Sequence, residues 1–308
     1  MEILIPKVIT VWRCAEPPRF RKVRRFLLAS FSRVNPGDIT IKHPYTHDKL
    51  RLHSFRHKGY WFHRKRREAA TMRVFSQVVQ AGDTVVEVGG HIGFVTMYFV
   101  RLVGPSGTVI VFEPGENNLP YLRANTAAWV NITIIGKAVG QEAGSMTMYL
   151  EDLTGQNNSL VPDYEVLRIN VANAIPAHVS ETTVEVVTLD DYFESSGLSP
   201  DLVKIDVEGF EYEVLLGARR MLESLHPVIM VEVTRRADEV FELLREAGYQ
   251  LFRSEGQTWF REDPTLQAGV ALDVNTFCLH AEHHQAIAAR LGWRFASLPG
   301  RGDPRRKS

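Results

Sequence analysis

Residues 83–114, DTVVEVGGHIGFVTMYFVRLVGPSGTVIVFEP, read as one strand–helix–strand unit. Residues 85–88 are β-branched or apolar except for Glu87, the composition of a strand buried on both faces. The glycines of Glu87-Val-Gly-Gly-His-Ile-Gly93 follow at once. Gly89 and Gly90 can take φ > 0 and leave room for a ligand against the backbone, and Gly93 allows close helix packing. Phe94–Val103 is apolar on nearly every face, which predicts a helix packed under the sheet. Thr108–Phe112 is a second strand, ending at Glu113-Pro114. A carboxylate about 20 residues past a glycine turn, at a strand's C-terminal end, stands where ribose hydroxyls can donate to it. A glycine turn by itself serves packing in many α/β proteins, and a lone acid there can cap a helix. Together they predict a nucleoside-cofactor site.

The same rhythm extends along the chain. Helices are predicted over 66–79, 118–129, 211–225 and 237–247. Strands are predicted at Ile132–Ile135, 202–206, Val228–Val233, 249–253 and Val274–His280. Residues 38–62 alternate well enough to suggest short strands around a turn near 45–49. Residues 140–200 read as an insertion with a strand at 145–150 and a polar loop, Thr154-Gly-Gln-Asn-Asn-Ser159. About seven strands alternating with helices predict one doubly wound, Rossmann-like α/β sheet rather than two domains. The expected organisation is a basic N-terminal extension over 1–65, a catalytic domain over 66–292 and a disordered tail over 293–308.

Composition is globular, and a chain of 308 residues can bury a substantial core. Two distant cysteines, Cys14 and Cys278, form no disulfide framework. The opening residues lack the order of a signal peptide, and no apolar run reaches the roughly 18–20 residues of a membrane span. A soluble, cytoplasmic protein is expected. The zero net charge conceals an asymmetry: residues 1–80 carry +13 and the remainder −13. The clusters Arg19-Phe-Arg-Lys-Val-Arg-Arg25 and Arg64-Lys-Arg-Arg67 suit either a solvated helix face or an anion-binding surface. No RNP, KH or zinc-finger pattern accompanies them, so nucleic acid is a possible but unsupported partner. His43, His47, His53, His57 and His63 resemble a metal cluster by density alone. A hairpin would put some on opposite faces, so they read as surface histidines, and no metal ligands are assigned.

A second acidic feature is Val203-Lys-Ile-Asp-Val-Glu-Gly-Phe-Glu211. Asp206, Glu208 and Glu211 crowd the end of a strand and the start of a helix, where like charges repel unless something compensates. They suit a cationic cofactor, a general base or a metal, or simply favour the helix macrodipole.

With these pieces in order, the chain resembles the FkbM methyltransferases, a branch of the class I S-adenosylmethionine-dependent enzymes. The resemblance rests on Glu87-Val-Gly-Gly-His-Ile-Gly93, Glu113-Pro114 with Asn118, and Asn125. It continues through Val187-Thr-Leu-Asp-Asp191, Lys204-Ile-Asp-Val-Glu-Gly-Phe-Glu211 with Gly217, and Pro227 to Glu232. It covers roughly residues 68–280, and Lys-Ile-Asp-Val-Glu-Gly is its most distinctive string. The resemblance implies a seven-stranded, mostly parallel sheet whose last strand is antiparallel. It implies S-adenosylmethionine as cofactor, with Glu113 on the ribose, the Gly89, Gly90 and Gly93 turn at the methionine portion, and the loop at Ala138 near adenine. One departure is Glu87, where the family's first strand usually carries Asp. The extra methylene makes that contact to the methionine end indirect or shifted.

Methyl transfer requires an acceptor aligned at near-attack distance and relieved of its proton. Asp206 is the first candidate for base or orienting group, followed by Glu208 and His91, although a local backbone hydrogen bond explains His91 equally well. Glu232 is the substrate-side candidate. The expected acceptor is a small molecule or glycan, methylated on a hydroxyl of a sugar, glycolipid or secondary metabolite. Competing readings are an RNA or protein methyltransferase, an inert nucleoside-binding module, and a nicotinamide dehydrogenase. The last is disfavoured by Gly-Gly-His-Ile-Gly in place of G-x-G-x-x-G.

Overall fold

The computed structural model describes residues 36–66, 68–152, 154–162, 178–255, 258–261 and 274–296, and structural counts refer to those residues. The basic cluster at 19–25, Cys14 and residues 297–308 lie outside them, whereas 293–296, expected to begin a disordered tail, pack on the core with Trp293 stacked on Phe252. A hairpin of β1 (Asp38–Lys42) and β2 (Lys49–His53) comes first, followed by α1 (Lys58–His63) and α2 (Ala69–Val78). The alternation then runs β3 (Thr84–Val88), α3 (Phe94–Val103), β4 (Thr108–Phe112), α4 (Leu119–Thr126) and β5 (Ile132–Ile135). A small three-stranded sheet interrupts it, made of β6 (Ala138–Val139), β7 (Gly144–Glu151) and β8 (Val179–Val187), and α5 (Leu189–Ser196) leads back. The chain continues through β9 (Leu202–Ile205), α6 (Glu211–Leu216), α7 (Arg219–Ser224), β10 (Val228–Val233) and α8 (Ala237–Glu246). It closes with β11 (Tyr249–Glu255), β12 (Thr258–Arg261), β13 (Val274–His280) and α9 (Gln285–Leu291).

The main sheet has the order β12-β11-β13-β10-β9-β3-β4-β5. From β10 to β5 the strands are parallel, and β13 runs antiparallel to both of its neighbours. The seven expected strands are therefore present with the expected reversed last strand, and β12 adds an eighth as an antiparallel edge hairpin on β11. The alternating side chains explain why both faces are covered. Val86, Val88, Val203, Ile205, Ile229 and Val231 enter one core, whereas Val85, Leu202, Val228 and Met230 enter the other. Burial at roughly 25 cal/mol per Å² of apolar surface on each face is the main term holding helices to both sides.

The predicted helix over 211–225 is in fact two short helices with a break at Gly217-Ala218. The break has a steric reason. A Cβ on Gly217 would lie 2.0 Å from the carbonyl oxygen of Gly140, so the chain turns where backbone meets backbone. The Gly217 carbonyl, left free by the turn, accepts from Asp190 N at 2.9 Å.

The hairpin of β1 and β2 is joined to the main core through Leu50, Leu52 and Tyr60. Asn125 on α4 acts as its clasp. Its Oδ1 accepts from Arg51 N at 2.6 Å, while Nδ2 donates to the carbonyls of Arg51 (2.9 Å) and Ile92 (2.8 Å). One buried amide thus ties β2 to the glycine turn. Among the described residues no helix is long and apolar enough to cross a membrane.

Candidate active site

At the reversal point of the strand order, the C-terminal ends of β3, β4, β9 and β10 surround a cavity of about 840 Å³. Open α/β sheets bind ligands at such a switch point. The turn after β3 contributes Gly89, Gly90 and His91, the end of β4 contributes Glu113, and the turn after β9 contributes Asp206 and Glu208. Glu87, Ala138 and Glu232 complete the predicted set on its walls. Gly93 is absent from the lining: a Cβ there would meet Leu122 Cδ1 at 2.9 Å, so its role is the close packing of α3 on α4. Glu211 also turns away. Its carboxylate accepts from Gly209 N at 2.8 Å and faces Thr234, and burial raises its pKa to about 7.

Glycine is required at the turn for steric reasons. Gly89 adopts φ +90, and a Cβ on it would lie 1.9 Å from the Asp206 carbonyl oxygen. The turn after β3 and the turn after β9 are therefore in backbone contact, which brings Asp206 beside the glycines. Glu113 then pins the turn from the other side. Its Oε2 accepts from His91 N at 2.6 Å, and its Oε1 accepts from Gly115 N at 2.8 Å and Asn118 Nδ2 at 3.3 Å. Burial raises its pKa, and these N–H donors oppose the rise.

Lys204 is the residue that sequence reasoning did not select. It is buried in β9 directly opposite Glu87 of β3. An ammonium has three donors, and this one meets Asp206 Oδ2 at 3.2 Å, the Gly89 carbonyl at 3.2 Å and Glu87 Oε1 at 3.4 Å. Burial alone would lower its pKa, but Asp206 and Glu87 outweigh burial and raise it. Glu87 is enclosed, with Thr96 Oγ1 donating to its Oε2 at 2.5 Å. Burial pushes it up to about 7 although Lys204 pulls it down. The longer side chain in this family position is thus spent on Lys204 and Thr96. The signal available in sequence was a lysine inside an otherwise apolar strand, which demands a buried anion.

Glu232 stands beyond Lys204, next to Asn275 of β13. Burial raises its pKa well above the carboxylate range, and Asp206, Glu208 and Glu68 add to the rise. Asn275 Nδ2 donates to Thr71 Oγ1 at 2.7 Å, joining β13 to α2 on the same wall. Opposite, the polar loop of the insertion roofs the cavity. Asn118 Nδ2 donates to the Gly155 carbonyl at 2.9 Å, and Ser159 Oγ donates to the Glu208 carbonyl at 2.8 Å. His91 fastens the same loop. Its Nε2 donates to the Thr154 carbonyl at 3.2 Å, so in the neutral ring Nδ1 accepts from the Tyr60 hydroxyl at 2.9 Å. Gln156 Nε2 donates in turn to the Tyr60 oxygen at 3.1 Å. Both ring nitrogens are engaged, which makes His91 a clasp between α1, the glycine turn and the loop. Tyr60 and Gln156 had no sequence signal beyond polarity, since only folding brings their distant segments to the glycine turn.

The hairpin histidines need a correction. His43 and His57 are buried, not on the surface. His43 Nε2 bonds the Phe94 carbonyl at 3.0 Å, and His57 Nδ1 accepts from His53 N at 2.9 Å. Burial lowers His43 to about 4 and His57 to about 2, so both are neutral core residues. His47 and His63 are exposed.

Comparison with known proteins identifies the family. A family model described as the methyltransferase FkbM domain matches residues 87–251. "Methyltransferase 1" of Beauveria bassiana is 28% identical over 149 residues, which are 43% of this chain and 57% of that protein. The hexuronic acid methyltransferase AglP of Haloferax volcanii is 25% identical over 185 residues, 59% of this chain and 70% of that protein. The matched region therefore spans little more than half the length of the first of these relatives. A solved FkbM methyltransferase from Methylobacillus flagellatus is 18% identical, over 64% of this chain and 43% of that chain, with a TM-score of 0.40.

Proposed function

The chain belongs to the FkbM methyltransferase family, and on that premise we propose that it transfers a methyl group from S-adenosylmethionine to a hydroxyl of a sugar, glycolipid or secondary metabolite. The observation that carries this reading is the convergence of Glu113, the Gly89-Gly90 turn and Asp206 on one cavity of about 840 Å³. That volume lies within the usual range for a cofactor and a small acceptor together. The donor set fits the cofactor. Glu113 offers a buried carboxylate at the end of β4 for ribose hydroxyls, and Ala138, Val139 and Phe112 supply an apolar wall.

When bound, S-adenosylmethionine supplies an electrophilic methyl on a positively charged sulfur. The chain's own residues hold the charge and the acceptor. Asp206 and Glu208 line the cavity together with Glu87, Glu232 and Lys204, an acidic surrounding that favours a cation. Asp206, steadied by Lys204 at 3.2 Å, orients the acceptor hydroxyl and takes its proton. Glu232, whose pKa burial raises, lines the same cavity and can hydrogen-bond an acceptor hydroxyl. With Asn275 and Thr71 beside it, this wall is suited to a polyhydroxylated ligand. The Haloferax volcanii relative, a hexuronic acid methyltransferase, supports a sugar acceptor as well. The loop fastened by His91 forms one side of the cavity.

The test is calorimetric titration with S-adenosylmethionine, its demethylated product and NAD in parallel. Micromolar binding of the first two, lost in Glu113→Ala, is expected. An Asp206→Asn variant should still bind cofactor but transfer no methyl in a glycan acceptor screen. Preference for NAD, or cofactor binding indifferent to Glu113, would overturn the reading.

A further inference from the structure

A second group of side chains lies at the sheet edge opposite the cavity. His226 stands in the turn between α7 and β10, His280 ends β13, and His283 lies in the turn before α9. Strand β10 runs from that edge toward Glu232, and the antiparallel β13 runs back to it. Nitrogens of the three imidazoles all lie within 4.8 Å of one another. The ring centroids are 4.4 Å (His226–His280), 4.1 Å (His226–His283) and 4.7 Å (His280–His283) apart.

Two details separate this group from ordinary aromatic packing. The Nδ1 of His226 is buried without a hydrogen-bond partner, an expensive condition for a ring nitrogen. His280 uses Nδ1 to accept from Glu282 N at 3.3 Å, which leaves Nε2 as its ligating atom. Beside that Nε2 is Gly248, where a Cβ would sit only 2.5 Å away, so the position is open because the residue is glycine. His284 supports the frame: its Nδ1 accepts from His280 N at 2.8 Å, and its ring bonds the backbone of His226.

We propose that His226, His280 and His283 form a three-histidine site for a borderline divalent metal of the zinc type. Imidazole donors select such ions over calcium and magnesium, which take oxygen ligands. Tetrahedral zinc with bonds of about 2.0–2.1 Å needs donors about 3.3 Å apart. The group must therefore close slightly, and His283, which is exposed, can supply that movement by side-chain rotation. Water completes the coordination. The bound metal clips the start of β10 to the end of β13 and the start of α9, remote from the methyl-transfer cavity.

The experiment uses the full chain without a histidine tag, stripped with a chelator. Zinc chloride is titrated calorimetrically, cobalt(II) binding is followed by its visible absorption, and melting is recorded with and without zinc. One equivalent bound with micromolar or tighter affinity, and a melting temperature that rises with zinc, are expected. His283→Ala should weaken binding at least tenfold and remove the shift, while His47→Ala should change neither. His283→Gln serves as a second variant, and metal-free melting checks that each keeps its fold. No saturable binding at one equivalent, or binding and shift unchanged by both His283 variants, would reduce the group to ring packing and overturn the proposal.

Discussion

Replacing Lys204 by methionine tests the charge arrangement most directly. Methionine matches the length of the lysine stem, so the packing of β9 is kept and the ammonium alone is lost. Lys204 has three acceptors, Asp206, Gly89 and Glu87, at 3.2–3.4 Å, and its side chain is 4% exposed. Removing one partner of a buried ion pair costs about 3–5 kcal/mol, because the other charge is stranded. For a domain of this size that is a fall of roughly 6–20 °C in melting temperature. The loss must depend on pH. Glu87 already titrates at about 7 beside the lysine, against 4.5 as its ordinary value, and goes higher without it. A carboxyl with a raised folded pKa contributes stability at low pH that is lost as pH rises through its window. At pH 5 the variant's Glu87 holds its proton and needs no cation, whereas at pH 8 ionisation favours the unfolded chain. Urea unfolding at pH 5 and pH 8 measures the difference, and Lys204→Met/Glu87→Gln should recover at least half of the loss at pH 8. A cost below about 1 kcal/mol at pH 8, a cost equal at both pH values, or no recovery in the double variant would refute the reasoning.

Gly89→Ala forces a Cβ to 1.9 Å from the Asp206 carbonyl at φ +90, so the turns after β3 and β9 must separate. It should destabilise by more than about 2 kcal/mol in thermal melting and abolish cofactor binding. Tyr60→Phe removes the hydroxyl shared by His91 and Gln156. Two hydrogen bonds of about 1 kcal/mol each hold that point, so amide exchange at residues 154–159 should accelerate roughly tenfold or more. His57→Asn keeps an acceptor for His53 N but no longer titrates. Wild-type His57, lowered to about 2 by burial, loses stability for the fold as pH falls below 6.5. The variant should therefore show a shallower loss of stability between pH 6 and pH 4 in urea titrations.

Much of the site was legible because its parts are local. Residues 83–114 contain a strand, a glycine turn, a helix, a second strand and the terminal acid, and their order alone places Glu113 at the cavity. Asp206 and Glu208 were equally accessible, since a strand that ends in acids before a helix must deliver them to the same edge. Lys204 was harder to assign, because its partner Glu87 is 117 positions away and only the parallel register of β3 and β9 pairs them. The roof over the cavity was invisible, because Tyr60, His91 and Gln156 meet from three segments whose spacing carries no period. His43 and His57 were misjudged for a related reason. Hairpin alternation says which residues share a face, and only the docking of that hairpin on α3 and α4 says which face is buried.

Sequence by itself determined the alternation of strands and helices and the residues at the strand ends, because periodicity and turn chemistry act over a few positions, while the reversed last strand followed from the family resemblance alone. Tertiary structure decided which charges neutralise one another, which loop covers the cavity and which histidines lie in the core. Those outcomes depend on distances between residues far apart along the chain, and burial multiplies the energy of each such contact.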